Sequence, residues 1–178
     1  MLRLLLSCLT FPGIIIHEFA HAWACRKLGI HVERVCYLRF GNPMGYVLHG
    51  RPESVFQHIL VATAPIFVSS CLALTTSLAA CLFSTSQLPP ETRDIFTLLA
   101  VWLSFSVALH SFPSDGDANA LWDDVISPGN GFAAKTILVP VVGLLRLVHL
   151  GTRCYLDVLF ALIMVGTPPV VLLILTGA

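Results

Sequence analysis

The sequence predicts an α-helical integral membrane protein: about five transmembrane helices and a short membrane-associated β-hairpin, forming one domain over residues 1–178. Three observations carry this prediction. Apolar residues make up 56% of the chain and charged residues only 11%, less than half of the ~25% usual in a soluble domain. Long apolar runs recur, each near the ~20 residues that a helix needs to cross ~30 Å of hydrocarbon. The one stretch that departs, residues 30–50, is β-branched and aromatic around a cluster of turn formers. The formal net charge is zero and there is no basic block, so nucleic acid is not an expected partner. Four of the six cysteines (Cys8, Cys25, Cys71 and Cys81) fall in or at the ends of apolar segments, where a thiol acts as a small hydrophobe. With no C-x-x-C pair, neither a disulfide framework nor a cysteine zinc site is expected.

The first helix is expected over residues 2–28. Arg3 followed by Leu4-Leu5-Leu6 imitates the start of a signal peptide, but the apolar run continues past Ile16, beyond the ~7–15 residues of such a core. The segment is therefore read as a mature membrane helix. Pro12-Gly13 predicts a kink or local break, because proline removes a backbone hydrogen bond and glycine relaxes the chain. Such a bend is either a tolerated membrane-helix proline or a way to admit water and substrate. Arg26, Lys27 and Gly29 end the helix. A hairpin is expected over 35–49, with strands 35–40 and 45–49 on either side of Gly41-Asn42-Pro43-Met44-Gly45. Its free edge could receive an extended peptide as an added strand.

A second helix is expected over 55–83, with His58 near its start as an interfacial residue. Ser69, Ser70, Ala73, Thr76, Ser77 and Ala80 supply small residues that allow close helix packing in lipid. The loop 84–93 contains Pro89-Pro90, and a third helix follows over 94–112. Then comes a polar island, His110 to Asp124, in which four aspartates fall within ten residues. Pro113 and Gly116 stop the helix, and a carboxylate at Asp117 could start a short helix through Trp122. Ser127-Pro128-Gly129-Asn130-Gly131 reads as a turn before two further helices, 132–150 and 155–175.

The chemistry is concentrated in His17-Glu18-Phe19-Ala20-His21, the pattern H-E-x-x-H inside an apolar run. Residues i and i+4 share one helix face, so both imidazoles can reach one Zn²⁺ at ~2.0–2.1 Å. Glu18 beside them is a candidate base for a water that the metal activates. A catalytic zinc commonly takes three protein ligands, so a third must come from elsewhere. With five alternating helices, the loop after the first and the loop after the third lie on one side of the membrane. Arg26, Lys27, Arg34, Arg39 and Arg51 flank that side, which the positive-inside rule makes cytoplasmic. Glu91 falls on the opposite side. Asp157, near the start of the last helix, is a weaker candidate and is expected to pair with Arg153 or Arg146. The aspartate island supplies the rest: Asp115 or Asp117 first, then His110, Asp123 or Asp124.

These residues carry a family resemblance. H-E-F-A-H in the first helix, a following Gly-Asn-Pro-Met-Gly hairpin and Phe112-Pro113-Ser114-Asp115-Gly116-Asp117-Ala118 resemble the site-2-protease-type intramembrane metalloproteases, above all their small, minimal prokaryotic members. The likeness covers residues 13 to about 125. It implies one Zn²⁺, an aspartate third ligand, membrane-embedded or membrane-proximal protein substrates, and cleavage in or near the bilayer. In the common family pattern an Asn-Pro element precedes an Asp-Gly ligand motif, which would favour Asp115. The variant Pro-Ser-x-Gly-Asp-Ala of the small members matches here too and points to Asp117, the residue chosen, with Asp115 as the alternative. No PDZ-like insertion is present.

The expected mechanism has Glu18 take a proton from the attacking water and deliver it to the leaving amine. His110 or Asn119 are candidate oxyanion or substrate contacts, and Gly45, Tyr46 and Val47 would pair with the unwound substrate as a strand. Four other readings compete. They are a non-catalytic membrane protein with a degenerate metal site, and a different membrane zinc peptidase class with a glutamate third ligand. They are also a metal or ion transporter with the histidines on its path, and a haem protein using His17 or His21 with His58 or His110. Two histidines and a glutamate buried in a membrane helix are functional by default, which weighs against the first.

Overall fold

Where the sequence predicts one long first helix, the chain turns sharply at Thr10. The computed structural model, which describes residues 2–41, 43–127 and 132–177, divides this segment into α1 (Leu2–Leu9) and α2 (Phe11–Lys27), bent by 79°. Pro12 lies in the first turn of α2, the position where a missing N–H costs least. A break among apolar side chains leaves backbone groups that must find partners, and a neighbouring helix, α4 (Pro90–Leu109), supplies them. The Trp102 indole donates to the Leu9 carbonyl at 3.0 Å. The Ser106 hydroxyl donates to the Thr10 carbonyl at 2.8 Å and accepts from the Gly13 N–H at 3.0 Å. Gly13 is required for this approach, since a Cβ there would stand 2.0 Å from the Ser106 carbonyl oxygen.

The hairpin forms, with different bounds. Strands β1 (Val32–Cys36) and β2 (Tyr46–His49) pair antiparallel, Val35 opposite Val47 and Cys36 opposite Tyr46, with an irregularity between Val32 and Arg34. The first strand thus begins and ends earlier than residues 35–40. Arg39 turns back instead of extending the ladder: its N–H donates to the Met44 carbonyl and its Nε to the Pro43 carbonyl. Its guanidinium lies 5.0 Å from the centroid of the Tyr46 ring. A turn cluster containing proline, which lacks an N–H, shortens the ladder on that side.

Helix α3 (Val55–Ser84) is capped by Ser54, whose hydroxyl accepts from the Gln57 N–H at 3.2 Å. Its small residues Ser69, Ala73, Ser77 and Ala80 are buried, and the neighbouring helices approach closely along them. Ser104 of α4 donates to the Ala73 carbonyl, and Ser77 donates to the Val165 carbonyl of α7 (Leu156–Thr176), both at 2.7 Å. Helix α4 starts four residues before the expected 94, because Pro90 is pre-set for a first helical turn, and it ends at Leu109 rather than 112. The polar island becomes α5 (Asp115–Ile126), longer at both ends than the expected segment from Asp117 to Trp122. Helix α6 (Phe132–Gly151) and a 3₁₀ turn (Thr152–Cys154) lead into α7. The turn expected at 127–131 lies mostly outside the described residues.

The structure is 76% helical. Among the described residues, four helices are long and apolar enough to cross a membrane, or five if the bent pair α1–α2 counts as one span. Asp157 pairs with neither Arg146 nor Arg153. It accepts both terminal nitrogens of Arg3, at 3.1 and 3.4 Å, tying the start of α7 to α1, because the bend at Thr10 swings α1 towards that end of α7.

Candidate metal centre

Helix α2 carries His17, Glu18 and His21, all buried, on a segment whose neighbours Ala20 and Ala22 are fully enclosed. Each imidazole is oriented by a backbone carbonyl from another helix. His17 Nδ1–H donates to the His110 carbonyl at 2.7 Å, and His21 Nδ1–H donates to the Val61 carbonyl of α3 at 3.0 Å. A carbonyl can only accept, so both Nδ1 atoms carry a proton and both Nε2 atoms are turned to the site. This is the outer-shell arrangement that fixes a histidine ligand's tautomer. The two Nε2 atoms converge to 3.1 Å.

Asp117 arrives from α5. Its Oδ2 lies 3.6 Å from His17 Nε2 and 3.3 Å from His21 Nε2. Ligands at ~2.0–2.1 Å around a tetrahedral zinc stand ~3.3–3.4 Å apart, so the observed triangle is of the size that one Zn²⁺ needs. The donor chemistry, two imidazoles and a carboxylate, suits zinc. His17, His21 and Asp117 are the group of three ligand-type residues, among the described ones, that converges closely enough to hold a metal.

A capping box aims Asp117. Ser114 is the N-cap of α5 and accepts from the Asp117 N–H, while Asp117 Oδ2 accepts from the Ser114 N–H at 2.9 Å and from its hydroxyl at 2.7 Å. Burial opposes charge on Asp117, but the facing His21 and His17 outweigh it and hold the carboxyl well below the usual range. The helix N-terminus also favours an anion there. The pattern Ser-x-x-Asp is legible in the sequence as a capping signal. That it coincides with a ligand is not.

Asp115 stands elsewhere. Its side chain is 77% exposed and accepts from His149 Nε2 at 2.7 Å. Asp123 is exposed, and Asp124 joins His58 and Arg51 at 3.1 and 3.4 Å, tying α5 to the start of α3. The His110 ring turns to the helix break, its Nε2 2.9 Å from the Thr10 hydroxyl. Burial there, and then the nearby His17, push the His110 pKa down to about 3. Asn119 is exposed on the side of α5 that faces α6.

Glu18 meets the hairpin. At Gly45, immediately before β2, a Cβ would lie 2.6 Å from Glu18 Cγ and 2.9 Å from its Oε1. The absence of a side chain at residue 45 is therefore what lets the strand entrance lie against this carboxylate. Tyr46 and Val47 continue into β2, which has β1 as its one strand neighbour among the described residues.

Fold and site together define a multi-helix protein with membrane-type helices and a candidate two-histidine, one-aspartate metal centre beside a buried glutamate. Compared with known proteins, the chain matches no family model, no curated protein and no solved structure.

Proposed function

We propose that this protein is an intramembrane zinc metalloprotease of the site-2-protease type, a multi-pass membrane protein that hydrolyses peptide bonds of membrane-embedded or membrane-proximal substrates. One observation carries the reading: the triangle of His17 Nε2, His21 Nε2 and Asp117 Oδ2, at 3.1, 3.3 and 3.6 Å, with Glu18 buried next to it in α2. An aspartate rather than a glutamate at the third corner favours this class over the alternative membrane zinc peptidases. A donor set oriented by two backbone carbonyls argues against an incidental motif.

His17, His21 and Asp117 would hold the metal. Zinc supplies a Lewis acid that polarises a carbonyl and makes water a nucleophile near neutral pH. Glu18 then accepts the proton of the attacking water and passes it to the leaving amine. The substrate's helix must open to expose a carbonyl, and its freed backbone groups then need partners. Pairing along Gly45, Tyr46 and Val47 would provide them, beside the Glu18 carboxylate that Gly45 touches. Asn119, which lines the cavity against α6, and the His110 ring, which meets Thr10, are not assigned an oxyanion role. By the positive-inside rule, the basic residues near α2 and β1 support an opening on the cytoplasmic side.

The test is Glu18→Gln. The purified variant is expected to retain one zinc per chain while cleavage of a transmembrane peptide substrate falls by about 10²–10⁴-fold, the usual contribution of a general base. Proteolysis at the wild-type rate would overturn the assignment. Absence of zinc from the wild-type protein would return the chain to the non-catalytic reading.

A further inference from the structure

The face of α5 turned away from the histidines borders a cavity of about 540 Å³ between α5, α6 and the 3₁₀ turn. Arg146 and Arg153 both line it. Among the described residues neither guanidinium has an ion-pair partner; Arg146 instead lies over the Trp122 ring, 5.2 Å from its centroid. His149 stands between them. Its Nδ1 is 2.8 Å from the Pro113 carbonyl and its Nε2 2.7 Å from Asp115 Oδ1. Both contacts engage the ring, so His149 holds Asp115 at the cavity wall. Asp115, the one carboxylate among the wall residues, is engaged by His149 and pairs with neither guanidinium. The amide of Asn119 adds a neutral polar group to the wall.

The cavity also opens onto an apolar track. Ile137, Val141, Leu144, Leu147 and Leu150 of α6 are 70%, 46%, 61%, 63% and 50% exposed. Ile137, Val141 and Leu144 share one helix face, and Leu147 and Leu150 carry the exposed aliphatic surface round the helix towards the cavity. Leu147 and Leu150 belong to both the track and the cavity wall. A cationic, hydrogen-bonding recess continuous with an exposed aliphatic stripe is complementary to an amphiphile: a phosphate at the arginines and acyl chains along α6.

We propose that this cavity binds the headgroup of an anionic phospholipid, with the phosphate between Arg146 and Arg153. Basic pockets between membrane helices recognise anionic headgroups by this combination of charge and depth, and arginine forks suit phosphate oxygens. The lipid would sit against α5 on the side opposite Asp117, bracing the short helix that carries the third candidate ligand. The inference rests on the membrane placement above but not on proteolysis.

The experiment titrates the purified full chain in mild detergent with phosphatidylglycerol or phosphatidylcholine and reads bound lipid by native mass spectrometry. The wild type is expected to prefer phosphatidylglycerol by about thirtyfold, the effect of two interfacial cations. Arg146→Gln with Arg153→Gln should abolish the preference, and Arg153→Gln alone, in the exposed turn, should lower it about fivefold. The control pair Lys27→Gln with Arg34→Gln should leave it intact. Retention of the preference in the cavity variants, or its equal loss in the control pair, overturns the site. Displacement of the lipid by millimolar glycerol phosphate would overturn the lipid in favour of a free phosphate ligand. Cleavage is not part of the readout, so a failed protease assignment leaves this result standing. If the chain washes off membranes in alkaline carbonate, the membrane reading itself falls.

Discussion

The two long sides of α5 carry aspartates only two residues apart and treat them in opposite ways. Asp117 points at the imidazoles of His17 and His21, part-buried and locked by Ser114, while Asp115 is exposed and held by His149 of α6. Two residues on a helix differ by ~200°, so one step of sequence decides whether a carboxylate faces a candidate metal site or a candidate lipid cavity. The difference teaches that an aspartate-rich island is not one site. Its members are sorted by the partners that each helix face meets.

The sharpest way to break that contrast is to remove each carboxylate in turn. Asp117→Ala is expected to weaken zinc binding by more than about a hundredfold, because even outer-shell partners are worth 10–100-fold. Asp115→Ala should leave zinc binding unchanged. Metal analysis of the two variants decides, and zinc loss at Asp115 alone would reverse the assignment. A smaller effect is expected from the hairpin side. Gly45→Ala puts a methyl 2.6 Å from Glu18 Cγ and should displace the carboxylate, lowering kcat/KM by about tenfold to a hundredfold, with zinc content intact. Activity equal to wild type would mean that Glu18 does not work from this position. The smallest effect belongs to the capping box. Ser114→Ala removes one N-cap, worth ~1 kcal/mol, and should weaken zinc affinity by about fivefold through looser placement of Asp117. A competition titration with a chelator measures it; no change would mean that packing of α5 alone aims the ligand.

Much of the helical architecture was legible because apolar runs of membrane length have one economical solution, a helix that satisfies its own backbone. The runs 55–83, 132–150 and 155–175 match α3, α6 and α7 to within one residue at each end. Element starts and stops were less legible where polar side chains intervened. Ser114, not Asp117, opens α5, and Arg39 folds back before the first strand reaches residue 40. The pair His17 and His21 could be read from helical spacing alone. The carbonyls of His110 and Val61 that set their tautomers could not, being 93 and 40 residues distant from the rings they fix. Nor could the role of Ser106 and Trp102 at the break, since nothing local marks a side chain that will complete another helix's backbone.

His17-Glu18-Phe19-Ala20-His21 therefore determined by itself that two imidazoles and a carboxylate would share a buried turn, because helix periodicity is a local property. The choice of Asp117 over Asp115 had only a motif likeness to support it in the sequence. Tertiary packing separates the two, bringing one face of α5 to within 3.6 Å of both histidines and giving the other to His149. Two residues so close in the chain differ little in local propensity; only the neighbours supplied by α2 and α6 tell them apart.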